Sequence, residues 1–174
     1  MEQGLPYFFD TVTTTVILGT FPSIKSRGEC YYNHPKNLFW PIIAECFNNG
    51  NPLISADERY ACLLKHHLGL WDVVASCEFE SRSSLDSKII PTSIIYNDFN
   101  ILRQNCPKLK RIIFSSKNAE KFFKKYLRQK TLSSDLHRWL DSLEKATLPS
   151  TSPAYAGMPA AEKFQHWKDV LLDL

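Results

Sequence analysis

The sequence predicts an α/β fold, a three-layer α/β/α sandwich with a central four-stranded parallel sheet, and three observations carry that prediction. Short runs of β-branched and other apolar residues recur along the chain, bounded by turn or polar residues. Between them lie longer segments whose apolar residues fall at helical spacing. Strands that alternate with helices pair in parallel and carry helices on both faces. No internal repeat, linker or low-complexity tract interrupts residues 1–174, so one domain is expected.

Thr15–Leu18 reads as a buried strand ended by Gly19, with Pro22 soon after. Leu38–Phe47 reads as a helix, with Phe39, Ile42, Ile43 and Phe47 at helical spacing. Pro41 lacks an N–H and belongs in its first turn, which sets Asn37 at or just outside the helix start. Ala56–His67 is a second helix, with Asp57 and Glu58 near its positive end. Leu70–Ala75 reads as a second buried strand, followed by a polar loop, Ser76–Lys88, that closes on a helix or turn near Leu85. Asp98–Cys106 is a helix stopped by Pro107, Lys110–Ser116 a third strand, and Lys117 starts a helix to roughly Arg128. Asp135–Leu143 is helical by pattern, Lys145–Leu148 a short fourth strand, and Ala160–Leu174 the final helix. In such sheets ligands bind beyond the carboxyl ends of the strands, so Gly19–Ser23 and Ser150–Pro153 should open onto one edge.

Hydrophobic residues make up 44% of the chain and charged residues 22%, which is ordinary for a soluble globular protein. A net charge of +3 permits an anionic partner without demanding one. Five cysteines (Cys30, Cys46, Cys62, Cys77, Cys106) show no zinc or iron–sulfur spacing, so reduced thiols in a cytoplasmic protein are expected, with no metal and no cofactor. Met1 opens a polar stretch without the regions of a signal peptide, and no apolar run is long enough to span a bilayer.

Three segments carry the functional chemistry. In Gly19-Thr20-Phe21-Pro22-Ser23, Gly19 lets the backbone turn close to a ligand and Phe21 offers a ring; the alternative is a turn with a buried Phe. Tyr31–Trp40, YYNHPKNLFW, crowds aromatics beside His34, Lys36 and Asn37. It suits either a site for an everted nucleobase, or core packing with Asn37 as a helix cap. The loop Pro149–Pro153 holds Ser150, Thr151 and Ser152, whose hydroxyls and backbone N–H groups suit either phosphates or a local turn. Lys25, Arg27 and Lys36 lie near the first loop, whereas Lys121, Lys124, Lys125, Arg128 and Lys130 suggest a solvated helix face. Glu78, Glu80 and Asp86 have no spacing that favours a paired-carboxylate mechanism, and Asp86 reads equally as a turn cap. There is no GxGxxG and no Walker-type phosphate loop.

Taken in order, ILGTFPSIKSR (Ile17–Arg27), YYNHPKNLFW, LWDVVASC (Leu70–Cys77), SLDSKI (Ser84–Ile89), Asn97-Asp98 and Leu148–Ala154 resemble the uracil-DNA glycosylase superfamily, and more narrowly its hypoxanthine-DNA glycosylase branch. The resemblance implies a monofunctional DNA glycosylase that flips a deaminated base, hypoxanthine or else uracil, out of double-stranded or single-stranded DNA and hydrolyses its N-glycosidic bond. It puts the catalytic asparagine on Asn37. It puts the first strand-end loop on Gly19–Ser23 and the DNA-gripping loop on Ser150–Pro153; the base pocket is then expected at Gly19, Thr20, Phe21, Tyr32 and His34, and DNA contacts at Ser23, Lys25, Lys36, Ser150, Thr151, Ser152 and Pro153. A monomer working without cofactor is expected. The chain departs from the family in having Tyr155 for Asn, Lys36 for Arg, and a different arrangement of Cys77–Ser87. Alternatives are a lesion-binding protein of the same fold that hydrolyses little, a mismatch-specific uracil or thymine glycosylase, and an unrelated hydrolase using Ser152 and His34.

Overall fold

A computed structural model describes residues 1–27, 30–81 and 85–173. Along the chain these form β1 (Glu2–Gln3), β2 (Thr15–Gly19), α1 (Phe39–Phe47), α2 (Ala56–Lys65), β3 (Leu68–Asp72), β4 (Val74–Cys77) and β5 (Ile95–Tyr96). Then follow α3 (Phe99–Asn105), β6 (Arg111–Phe114), α4 (Lys117–Leu127), α5 (Ser134–Ser142), β7 (Glu144–Thr147) and α6 (Ala160–Leu171). Ser84 of the SLDSKI stretch and Leu174 lie outside the described residues.

The central sheet has the order β3-β2-β6-β7, and every pairing in it is parallel. Its strands alternate between two apolar layers. Val16, Leu18, Trp71, Ile112 and Phe114 meet side chains of α3, α4 and α5, including Phe99, Phe123 and Leu140. Ile17, Leu68, Leu70 and Ile113 meet Phe39 and Ile43 of α1, Leu63 of α2 and Trp167 of α6. Covered on both faces, such strands read as uniformly apolar runs, and this made them visible in the sequence. Short polar side chains start the helices: Ser55 forms a full capping box with Glu58 on α2, and Asp98, Ser116 and Ser133 cap α3, α4 and α5.

One expected strand divides. Leu70–Ala75 was continuous by pattern, but the chain leaves the parallel sheet at Val73 and enters a second sheet, antiparallel, of order β1-β4-β5. The break is held by long-range hydrogen bonds. Val73 donates its N–H to Gly19 O (2.9 Å), Asn97 N–H donates to Val73 O (3.0 Å), and Asn97 Nδ2 donates to Asp72 O (2.8 Å). The expected polar loop Ser76–Lys88 correspondingly contains the end of β4, a Phe79–Ile89 bridge and a 3-10 turn over Asp86–Lys88. No helix among the described residues is long and apolar enough to cross a membrane.

Candidate active site

β2 pairs with β3 on one side and β6 on the other, so the chain reverses its direction of winding beside β2. Ligand crevices form at such switch points. Here a cavity of about 780 Å³ opens at the carboxyl ends of all four parallel strands. Gly19–Ser23 comes from β2, Asp72 from β3, Ser115–Asn118 follows β6, and Thr147–Ser152 continues β7. The volume falls in the range usual for small-molecule sites and is ample for a purine nucleoside.

The aromatic segment Tyr31–Trp40 both packs the core and borders the cavity. Tyr31, Phe39 and Trp40 are core residues; Trp40 Nε1 donates to Tyr31 O (2.8 Å) and the Tyr31 hydroxyl to Pro6 O (2.9 Å). Tyr32 instead turns toward the cavity through a left-handed backbone, φ 57°, unusual for a bulky residue. Its ring stacks on Phe39 at 4.1 Å.

Asn37 lines the cavity at the mouth of α1. Its Oδ1 accepts the N–H of Phe39 (2.9 Å), a local cap-like bond that orients the amide. The next amide, Leu38 N–H, donates to Thr151 O (3.0 Å), so the serine-rich loop is clipped directly beside Asn37. Trp167 Nε1 secures the same loop through Pro149 O (2.8 Å). Ser150 Oγ accepts from Ser152 N–H and Ser152 Oγ from Ala154 N–H, both at 3.2 Å, as in a local turn. A hydroxyl that accepts a backbone bond still has its own proton to donate.

Of the other expected site residues, Gly19, Thr20, Phe21 and Ser23 line the cavity. Phe21 is only 9% exposed, and its ring is engaged by Phe79 (5.8 Å) and by the Arg27 guanidinium (5.1 Å), which itself pairs with Glu2 at 2.7 Å. His34 lines an adjoining cavity of about 440 Å³, which shares Tyr32 and Asn37 with the first and runs toward Pro41 and Glu45, and its Nδ1 accepts Lys36 N–H (3.1 Å). Ser152 and His34 therefore line different cavities and are not hydrogen-bonded to each other. Lys25, Lys36 and Pro153 are exposed outside the main cavity.

Sequence reasoning missed a strongly perturbed acid in the site. Asp72 is 3% exposed, and its Oδ2 has no hydrogen-bonding partner among the described residues. Burial, reinforced by the Asp86 charge, pushes its pKa up to about 8, so the carboxyl is protonated at neutral pH. Gly19 makes room for it: a Cβ there would collide with Asp72 Oδ1 and stand 3.5 Å from the Tyr32 hydroxyl. Burial and then Asp72 raise the Tyr32 phenol, against a weaker opposite pull from the Ser115 hydroxyl. Asp86 is also raised by burial, opposed by Thr20 and Asn118. Lys117, Tyr155 and His166 complete the rim. A lone acid inside an otherwise apolar run, LWDVV, was the available signal for Asp72.

The model of the uracil DNA glycosylase superfamily matches residues 6–174. This chain belongs to that superfamily. A hypoxanthine DNA glycosylase of Methanosarcina barkeri is 32% identical to this superfamily member over 122 residues, covering 70% of this chain and 75% of the relative. The hypoxanthine DNA glycosylase of Methanosarcina acetivorans is also 32% identical, over 123 residues and the same shares. A solution NMR structure of a candidate uracil DNA glycosylase from Methanosarcina acetivorans superposes with a TM-score of 0.74 at 30% identity, covering 97% of this chain and 95% of that one. Membership of the uracil DNA glycosylase superfamily supports a DNA glycosylase function, and the three-layer fold around a four-stranded parallel sheet agrees with it.

Proposed function

We propose that the protein excises deaminated bases from DNA, hypoxanthine foremost, by water-mediated hydrolysis of the N-glycosidic bond with Asn37 orienting the water. The reading is supported above all by one arrangement: the Asn37 amide and the loop Ser150–Ser152, joined through Leu38 N–H and Thr151 O, border a single cavity of about 780 Å³. The relatives named hypoxanthine DNA glycosylases favour hypoxanthine as the base.

The C1′–N9 bond breaks with its electron pair leaving on the purine, while the sugar gains oxocarbenium character. Water supplies the oxygen that bonds C1′, and its proton ends on the departing base. A neutral amide is no strong base, so its contribution is orientation. Phe39 N–H occupies one lone pair of Asn37 Oδ1 and leaves the other to align the water. Correct alignment alone removes several kcal/mol of barrier. Eversion of the nucleotide costs a few kcal/mol and is easiest at a mispair, which gives a first layer of selectivity.

In this reading Gly19, Thr20, Phe21 and Tyr32 wall the base. Ser23, Ser150, Thr151 and Ser152 hold phosphates next to the lesion. Lys25, Lys36 and Pro153, exposed beyond the cavity, meet the flanking strand. The test is a panel of duplex and single-stranded oligonucleotides, each carrying one hypoxanthine, uracil, xanthine or mispaired thymine, scored for released base and for alkali-labile abasic sites. Hypoxanthine release exceeding the others is expected; binding without release from any of them would leave a lesion-binding protein instead.

A further inference from the structure

We propose that Asp72 grips the lactam edge of the everted base as an un-ionised carboxyl group, donating its proton to the ring carbonyl oxygen and accepting the ring N–H. The inference rests on the glycosylase reading of the same cavity and adds the group that recognises the base and steadies its departure.

The geometry comes first. Asp72 ends β3 and lines the cavity, yet it is 3% exposed, with no partner for Oδ2 among the described residues. Buried polar atoms are nearly always paired, so an orphan facing a ligand-sized space indicates that a ligand supplies the partner. The carboxyl cannot swing away toward β2 without meeting Gly19, whose missing side chain is what accommodates Oδ1. Its backbone is fixed as well, since Asp72 O accepts the Asn97 amide.

The chemistry then selects the substrate class. A carboxylic acid presents one donor and one acceptor side by side, the complement of a ring N–H next to a C=O. Hypoxanthine, uracil and xanthine all carry that pair. As the glycosidic bond breaks, negative charge builds on the base, and a neutral donor to its carbonyl oxygen binds the transition state more tightly than the ground state. The proton stays on Asp72 throughout. An ionised Asp72 would instead set two acceptors against an oxygen gaining charge.

The surroundings keep the acid neutral. Burial acts first and the Asp86 charge, from the short turn after β4, second, while Tyr31 and Tyr32, from the segment before α1, are themselves raised by burial and then by Asp72. The Ser115 hydroxyl follows β6. Lys117 and Glu120 of α4, Tyr155, and His166 of α6 line the same cavity. With Asp72 held near 8, its un-ionised fraction falls through mildly alkaline pH.

The deciding experiment compares single-turnover hypoxanthine release by the wild-type protein and Asp72→Asn across neutral and alkaline pH. The asparagine keeps a donor and an acceptor but cannot ionise. Relative to that variant the wild type should lose about tenfold in rate between about pH 7 and about pH 9, as expected for one proton leaving an essential acid. The lesion's own ring N–H titrates too, but equally for both proteins. Superimposable profiles would overturn the inference, as would a folded Asp72→Asn protein that is inactive while the wild type shows no alkaline loss. Should the variant fail to fold, carbon-13 NMR titration of the wild-type aspartate carboxyls decides: Asp72 found ionised at neutral pH overturns it. If the wild type releases no base from any lesion, the glycosylase reading itself has failed, and the NMR titration still reports whether Asp72 is neutral.

Discussion

The two ends of the parallel sheet both bury polar groups, but they treat them differently. At the amino end Thr13 is fully buried, its hydroxyl donating to Asp10 Oδ1 (2.9 Å) and accepting Asp10 N–H (3.0 Å), while Thr14 O accepts Lys110 N–H (2.9 Å). At the carboxyl end Asp72 Oδ2 and the Tyr32 hydroxyl have no partner of good geometry among the described residues, and Tyr32 sits in a left-handed conformation. A saturated network stabilises a fold. An unsaturated one costs stability and persists where a ligand completes it. Substitutions at the two ends should therefore separate stability from activity.

The largest effect belongs to Asn37. Asn37→Ala should reduce hypoxanthine release by on the order of a hundredfold or more, the scale of a lost alignment in a near-attack geometry. Binding to a lesion duplex should change far less, because the walls and serine loop remain. Equal single-turnover rates for the two proteins would remove Asn37 from the mechanism.

Asp72 comes next, and its sign is opposite for stability. The native protein keeps a proton that the unfolded chain has released, so stability falls as pH rises from the ordinary carboxylate range through about 8. Asp72→Asn should therefore stabilise the fold, by an amount that grows across that range to on the order of a few kcal/mol and then levels. Asp86 is raised in the same direction and leaves a smaller fall in the variant. Urea midpoints measured from mildly acidic to mildly alkaline pH test this; a gain independent of pH would refute it.

Thr13→Val provides the counterpart at the amino end. It preserves shape but leaves the half-buried Asp10 N–H without its acceptor, and should cost about 1 kcal/mol in denaturant unfolding. Excision by the folded variant should be unchanged. A loss of activity as large as the loss of stability would mean that the two ends of the sheet are coupled.

What could be read in advance follows the same division. The strands were visible because both faces are covered, and Asn37 was placed by the proline that fixes the start of α1. Asp72 was hidden because the break at Val73 depends on Gly19 and Asn97, partners remote in sequence that no local pattern reveals. His34 needed the fold for a related reason: Asn37 N–H bonds to His34 O (2.8 Å), and this tight turn leaves Asn37 bordering both cavities while His34 lines the smaller one. The Ser115–Asn118 loop required the strand order, since only the adjacency of β6 to β2 brings it to the switch point.

Lys117 turns that last point into the smallest of the expected effects. It is the exposed cation that the start of α4, directly after β6, contributes to the cavity lining. If its ammonium meets a phosphate, Lys117→Ala should weaken binding to lesion and undamaged duplex alike and lower the slope of log affinity against log salt by about one. The single-turnover rate at saturating enzyme should hold, because a phosphate contact positions the strand without touching the reacting bond. A drop in that rate with an unchanged salt slope would place Lys117 with the groups at the base, and extend the ligand-completed region from the floor of the cavity to its rim.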